Sequence, residues 1–143
     1  MSPLRTTDVG AELFVREVEI TRELLVRYAG ASGDVNAIHY NDAVAEAAGL
    51  PGVIAHGMLT MGLAGSALTD WLAGLDDDGV ARVVRYGVRF SRPIVVPALG
   101  STTLVVTGTL GARDDEAGTA RVDLRAVCDG VTVLGKAQAT ITL

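Results

Sequence analysis

Gly57-Met58-Leu59-Thr60-Met61-Gly62-Leu63-Ala64-Gly65-Ser66-Ala67-Leu68-Thr69 carries no charged side chain. Met58, Leu59, Met61, Leu63 and Leu68 are large and apolar, and Trp71 and Leu72 prolong the pattern. Gly62, Ala64, Gly65, Ser66 and Ala67 are small. A helix that is apolar on nearly every side must be buried on nearly every side. The run is shorter than the roughly 20 apolar residues that cross a bilayer. It therefore predicts a central helix enclosed by a sheet, with the small residues allowing strands to come close.

The sequence on the C-terminal side supplies that sheet. After a turn at Asp76-Asp77-Asp78-Gly79, the segments Val80–Val96, Thr102–Leu110, Ala120–Cys128 and Val131–Leu143 are rich in Val, Thr, Leu and Ile, which favour strands. Alternation is clearest in Ala120-Arg121-Val122-Asp123-Leu124-Arg125-Ala126. Asp129-Gly130 is a two-residue hairpin signal, because a type I′ turn needs positive φ at both positions. Gly111–Gly118 reads as a second connecting loop, and Pro93 and Pro97 bracket a bend or an edge. On the N-terminal side, Glu12–Ile20 reads as a short strand. Thr21 caps a helix centred on Glu23–Ala29 that ends near Gly30 and Gly33, Ser32–Asn41 is irregular, and Asp42–Ala48 is a short helix closed by Gly49. This order predicts an α+β fold of one domain over residues 1–143: a five-stranded antiparallel sheet wrapped around a long central helix, the hot-dog arrangement. Open edges in such a sheet commonly pair across a dimer.

Composition narrows the functional classes. The chain has 143 residues, 49% apolar and 20% charged, with a net charge of −5. No Lys/Arg block stands out, which argues against a nucleic-acid partner, and no stretch is long and apolar enough for a membrane span. Both acidic runs, Asp76-Asp77-Asp78 and Asp114-Asp115-Glu116, lie beside glycines as solvated turns do. The single Cys128 cannot form an internal disulfide and reads as core packing. With no leader-like N-terminus visible, a cytoplasmic location is expected.

Chemistry concentrates around the two histidines, His39 and His56. Elimination of water from a 3-hydroxyacyl thioester needs an acid, a base and donors for the enolate-like oxygen. Asp34 and His39 offer an acid/base pair on one irregular segment. Gly57 opens the central helix, where unpaired N–H groups and the helix dipole favour a developing negative charge. Each residue also has a structural reading: Asp34 as a turn residue or cap, His39 as a half-buried structural histidine, Asn36 as an Asx-turn residue, and His56 as a support for the loop. Metal binding by Asp34, His39 and His56 lacks a fourth ligand or a spacing signature. Met58 and Met61 read as core filler.

Gly33-Asp34-Val35-Asn36-Ala37-Ile38-His39, followed by Ala55-His56-Gly57-Met58-Leu59-Thr60, resembles the signature of the MaoC-like (R)-specific hydratase/dehydratase family. Within that family the likeness is strongest to the B subunit type of actinobacterial (3R)-hydroxyacyl carrier-protein dehydratases. It extends through Tyr28-Ala29-Gly30, Thr69-Asp70-Trp71 and Tyr86-Gly87-Val88-Arg89-Phe90. The resemblance implies that Asp34 and His39 are the catalytic dyad, that Asn36 orders their loop, that His56 supports it, and that Gly57 donates to the thioester carbonyl. Gly57, Met58 and Arg89 become the candidate substrate contacts, with Arg85 and Arg92 as further cations near the tunnel mouth or, equally, on an ordinary surface. It implies no metal and no cofactor beyond the CoA or phosphopantetheine of the substrate. The expected partners are an acyl-CoA or acyl carrier protein, and a second hot-dog subunit in a homodimer or heterodimer. Two positions depart from the pattern: Ala37 replaces the usual proline, and Gly65 stands where some single-chain hydratases carry a serine. A hot-dog thioesterase and a non-catalytic acyl-binding subunit are the competing expectations.

Overall fold

Among the described residues, three helices and five strands follow in the order β1 (Glu12–Ile20), α1 (Arg22–Ser32), α2 (Asp42–Ala47), α3 (Gly57–Ala73), β2 (Val83–Phe90), β3 (Thr102–Asp114), β4 (Thr119–Cys128) and β5 (Val131–Thr142). Short 3-10 turns occupy Pro3–Arg5 and Ala37–His39. The computed structural model describes residues 3–75 and 81–143; the turn expected at Asp76–Gly79 and the strand start expected at Val80 fall outside the described residues.

The strands form one antiparallel sheet in the order β1-β3-β4-β5-β2. Leu104, Val106 and Leu110 of β3, Val122 and Leu124 of β4, and Ala139 and Ile141 of β5 are buried on the face turned to the helix. Against them α3 buries Leu59, Ala64, Ala67, Leu68 and Leu72. Removing apolar surface from water at about 25 cal/mol per Å² makes this contact the main source of stability. Small residues on α3 matter where the sheet presses closest: a side chain at Gly65 would meet the Tyr86 ring at 3.0 Å. The result is the hot-dog arrangement of an antiparallel sheet curled against one central helix, but the expected burial on nearly every side does not occur: one face of α3 packs on the sheet, while Met58, Gly62, Ser66 and Thr69 lie exposed along the other.

Local signals explain most boundaries. The Thr21 side chain accepts from Leu24 N and starts α1. Gly33, at φ 77, ends it by donating to the Ala29 carbonyl, so of the two glycines near which the stop is expected it is the second that caps, and Gly30 stays helical. An exposed helical glycine costs only about 1 kcal/mol relative to alanine, and the left-handed residue at position 33 is the stronger terminator. Asp129 and Gly130 both have positive φ, 49 and 74, as a type I′ hairpin requires. β3 does not end at Leu110 but shifts register at Gly111 and continues to Asp114. Arg113 rewards that extension by donating to the carbonyls of Thr7 at 2.7 Å and Leu4 at 3.3 Å. Where β3 meets the end of β4, Thr102 Oγ1 and the Cys128 sulfur lie 3.1 Å apart, both buried.

β2 is the largest departure from expectation. It stops at Phe90, Ser91 and Arg92 still donate to the Val133 carbonyl of β5, and Pro93–Val96 leaves the sheet. Ile94 and Val96 instead pair with the chain ahead of α3: Ala55 N donates to Ile94 O at 2.8 Å and Val96 N to Val53 O at 2.9 Å. Pro93 has no N–H to give a ladder. This strap fixes the residues that precede His56 and so positions the head of the central helix.

Candidate active site

Two successive Asx turns build the loop after α1. Asp34 Oδ1 accepts from Asn36 N at 3.2 Å, and Asn36 Oδ1 accepts from Ile38 N at 3.2 Å. Asn36 thereby caps the 3-10 turn that ends at His39. The turn-residue reading of Asp34 and Asn36 and the site reading are thus compatible: the hydrogen bonds that shape the loop leave Asp34 Oδ2 outside them. Ile54 N donates to Ile38 O at 3.2 Å, drawing the loop onto the segment before α3. Farther out, Arg22 grips Asp42 at 2.8 and 3.1 Å and the Val96 carbonyl at 2.7 Å. The Arg22 guanidinium, helped by Val53 N, holds the Asp42 carboxyl below the usual carboxylate range.

His39 is 7% exposed and turns inward. Its Nδ1 lies 2.7 Å from the Ile54 carbonyl. A carbonyl can only accept, so Nδ1 carries the proton and Nε2 presents its lone pair. That Nε2 faces Asp34 Oδ2 at 3.9 Å, beyond direct hydrogen bonding. The sequence-predicted pair is therefore brought together as two acceptors with a gap between them. The Asp34 side chain is 52% exposed and keeps contact with solvent.

His56 is 1% exposed and N-terminal to α3. Its Nε2 donates to the Asp34 carbonyl at 3.1 Å, which leaves Nδ1 bare and buried with no hydrogen-bond partner. Its ring stacks on His39 with centroids 3.8 Å apart, and Tyr28 packs edge-on from the other side at 4.7 Å. Burial lowers the His56 pKa from the ordinary 6.5, the bond to the Asp34 carbonyl opposes the shift, and the neighbouring His39 adds to it. The unfolded chain therefore takes up this proton first as pH falls. The stabilising contribution is complete above about 6.5 and is lost as pH drops through the lower folded-state value. His56→Gln, which keeps a donor for Asp34, is expected to flatten stability against pH below about 6.5. Urea denaturation at several pH values measures this, and an unchanged slope would mean that another group controls it.

Donor atoms of Asp34, His39 and His56 lie within 4.8 Å of one another. Stacked imidazoles tilted by only 23° send their in-plane lone pairs along nearly parallel planes. An ion shared by both would sit out of the plane of each ring, so the trio is poorly shaped for a metal.

A cleft of about 270 Å³ opens beside this cluster, lined by His39, Gly57, Thr60, Phe90, Arg92 and Leu134 among others. Gly57 is the first residue of α3, so its amide belongs to the turn without intrahelical acceptors. The Phe90 ring stands over it: a Cβ at position 57 would meet that ring at 3.1 Å. Phe90 and Thr60 had no assigned role in the sequence, and no local pattern shows that the end of β2 folds over the head of α3. Two other expected contacts lie elsewhere. Met58 is 57% exposed and is not among the cleft residues. Arg89 lines a separate concavity on the opposite side of β2 with Arg85, Arg121 and Lys136. Strand parity accounts for this, since Arg85 and Arg89 share a face; Arg92, beyond the strand, does reach the cleft. Gly65 lies under the Tyr86 ring, whose hydroxyl donates to the Met61 carbonyl at 2.8 Å and is pushed up to about 12 by burial.

An antiparallel sheet curled against a central helix, with an imidazole and a helix-opening glycine lining one cleft and a carboxylate facing that imidazole from beside it, is the arrangement of a hot-dog protein of the hydratase/dehydratase class. The chain belongs to the MaoC-like dehydratase family, whose MaoC like domain matches residues 7–127. It is 42% identical over 81 residues to 3-hydroxyacyl-thioester dehydratase X of Mycobacterium tuberculosis, a match covering 57% of this chain and 26% of that protein. A solved MaoC-like dehydratase is 37% identical, with a TM-score of 0.89 over 99% of this chain and 42% of the other. The R-hydratase PhaJ1 from Pseudomonas aeruginosa is 26% identical, with a TM-score of 0.79 over 98% of this chain and 84% of that one. The chain thus spans about a quarter of the length of the mycobacterial relative. Among the described residues no helix is long and apolar enough to cross a membrane.

Proposed function

We propose that this protein is a hydro-lyase that adds water to trans-2-enoyl thioesters and removes it from (3R)-hydroxyacyl thioesters, with Asp34 and His39 as the dyad. The observation that carries this reading is the 3.9 Å gap between Asp34 Oδ2 and the unprotonated His39 Nε2. Two acceptors at that spacing suit one water oxygen placed about 2.8 Å from each, with one of its hydrogens directed at either acceptor.

In hydration, Asp34 is the principal base. The water oxygen bonds to the β-carbon as a water proton passes to the dyad, and the π electrons move toward the thioester carbonyl. The Gly57 amide, at the positive end of α3, donates to that oxygen as charge builds on it. The dyad then delivers a proton to the α-carbon, so water is consumed and the dyad ends in its starting protonation state. Dehydration follows the same steps backwards. The likeness to an R-hydratase supports the (R) configuration. The chemistry asks for no cofactor beyond the CoA or phosphopantetheine that carries the acyl group. The open edges at β1 and β2 support pairing with a second hot-dog subunit, identical or not.

The test is crotonyl-CoA hydration by the purified chain, extended to longer enoyl chains and repeated with its paired subunit. Loss of enoyl absorbance with (3R)-hydroxyacyl product is the expected result. Release of free thiol with retention of the enoyl group would identify a thioesterase instead. No turnover in any combination would favour an acyl-binding subunit.

A further inference from the structure

The outer face of the sheet gathers cations in an otherwise acidic chain. Arg85 on β2 and Arg121 on β4 both pair with Thr140 of β5, forming one row across three strands. Two residues along, Gly87 and Asp123 flank Gln138. Beyond that row, Arg89 and Lys136 stand where the β2–β5 register shifts. Lys136 has φ 45, a left-handed conformation that few side chains adopt. Together these residues line a concavity of about 390 Å³ that has no side chain at its floor at Gly87. Arg121 is held by Asp123 at 2.9 and 3.1 Å, and Gln138 donates to the same carboxylate. Among the described residues, Arg85, Arg89 and Lys136 have no ion-pair partner, and all three are exposed. The net charge of −5 makes this concentration an unusual place on the molecule.

We infer that this face docks an acidic carrier protein, which presents its thioester arm to the cleft around the end of β2. Two features support a protein over a single phosphate. Arg85 and Arg89 are four residues apart on a strand, a span of roughly 13 Å at about 3.3 Å per residue. That spacing exceeds the reach of one phosphate group and is closer to that of carboxylates two turns apart on a helix, about 11 Å. Position supplies the second feature. Arg89 directly precedes Phe90, Ser91 and Arg92, which line the cleft. A carrier seated on the outer face is therefore about three residues, roughly 10 Å of extended chain, from the cleft rim. This choice of carrier over CoA rests on the acyl-thioester reading of the cleft.

Lys136 is the sole lysine of the chain, which allows a test that does not depend on turnover. The protein is acylated with an amine-reactive reagent at low salt, and modification of Lys136 is read by peptide mass spectrometry. A recombinant holo acyl carrier protein is expected to slow modification at least about fivefold, with protection lost at high salt, whereas CoA at the same concentration gives none. Absence of protection by the carrier overturns the docking site. Protection by CoA shows that the face binds the small phosphorylated handle and overturns it too. In turnover, Arg85→Glu and Lys136→Glu should raise KM for a carrier-linked enoyl substrate about tenfold or more and leave kcat/KM for crotonyl-CoA within about twofold. An equal change for both substrates also counts against docking. Should the unmodified protein hydrate neither substrate, the proposed reaction fails, and the protection experiment still decides the docking face.

Discussion

Asp34→Asn is expected to lower hydration of an enoyl thioester by about 10²–10⁴-fold, the usual range for loss of a positioned general acid or base. The substitution removes the basic oxygen but keeps the loop. Asp34 uses Oδ1 to accept from Asn36 N, and the asparagine carbonyl can accept in the same place. The backbone carbonyl that receives His56 Nε2 is unaffected. His39→Ala is expected to fall in the same range for turnover but also to cost stability. It deletes a buried ring stacked on His56 and leaves the Ile54 carbonyl without its donor, a loss of about 1–3 kcal/mol. Asp34→Asn is therefore the cleaner experiment. Initial rates measured beside circular dichroism and urea midpoints check both variants. Near-normal turnover in folded Asp34→Asn would remove the carboxylate from the mechanism.

Leu68→Ala should destabilise the protein by roughly 2–5 kcal/mol. Leu68 is 1% exposed and sits midway along α3, with the sheet and the partly buried Trp71 and Tyr86 in the surrounding core. Truncation loses transfer free energy and leaves a cavity, because a helix face packed against the sheet cannot collapse into the space. The denaturant midpoint should drop with little change in m. A loss below about 1 kcal/mol would be the cost of an ordinary surface substitution and would contradict burial of this face of the helix. Leu68 does not touch the cleft, so the activity of the folded fraction should persist. The two variants thus separate stability from chemistry.

The legible parts of the sequence were those where one residue type has few options. The uncharged run from Gly57 to Thr69 forms the central helix, although it buries one face and leaves Met58, Gly62, Ser66 and Thr69 exposed, and Asp129-Gly130 has to turn. The Asp34-to-His39 spacing placed both groups on one loop, and the structure faces them across a gap. Other features depended on competition between distant segments. Gly30 looked like a helix stop until Gly33 offered a better one. Pro93–Val96 reads as strand by composition, yet it is taken from the sheet by the backbone of Val53–Ala55. The destination of Arg89 followed from strand parity, which gave two faces without saying which one the cleft would use. Phe90 over Gly57 is a contact between residues 33 positions apart, and nothing local marks it.

The buried pairing of Cys128 with Thr102 has a practical consequence. The thiol is 6% exposed at the last position of β4, one turn before β5 begins. An alkylating reagent can reach it only when the ends of β3 and β4 separate. Its rate of capture under native conditions would therefore count how often that corner of the sheet opens, so the lone thiol serves as a resident clock for local unfolding.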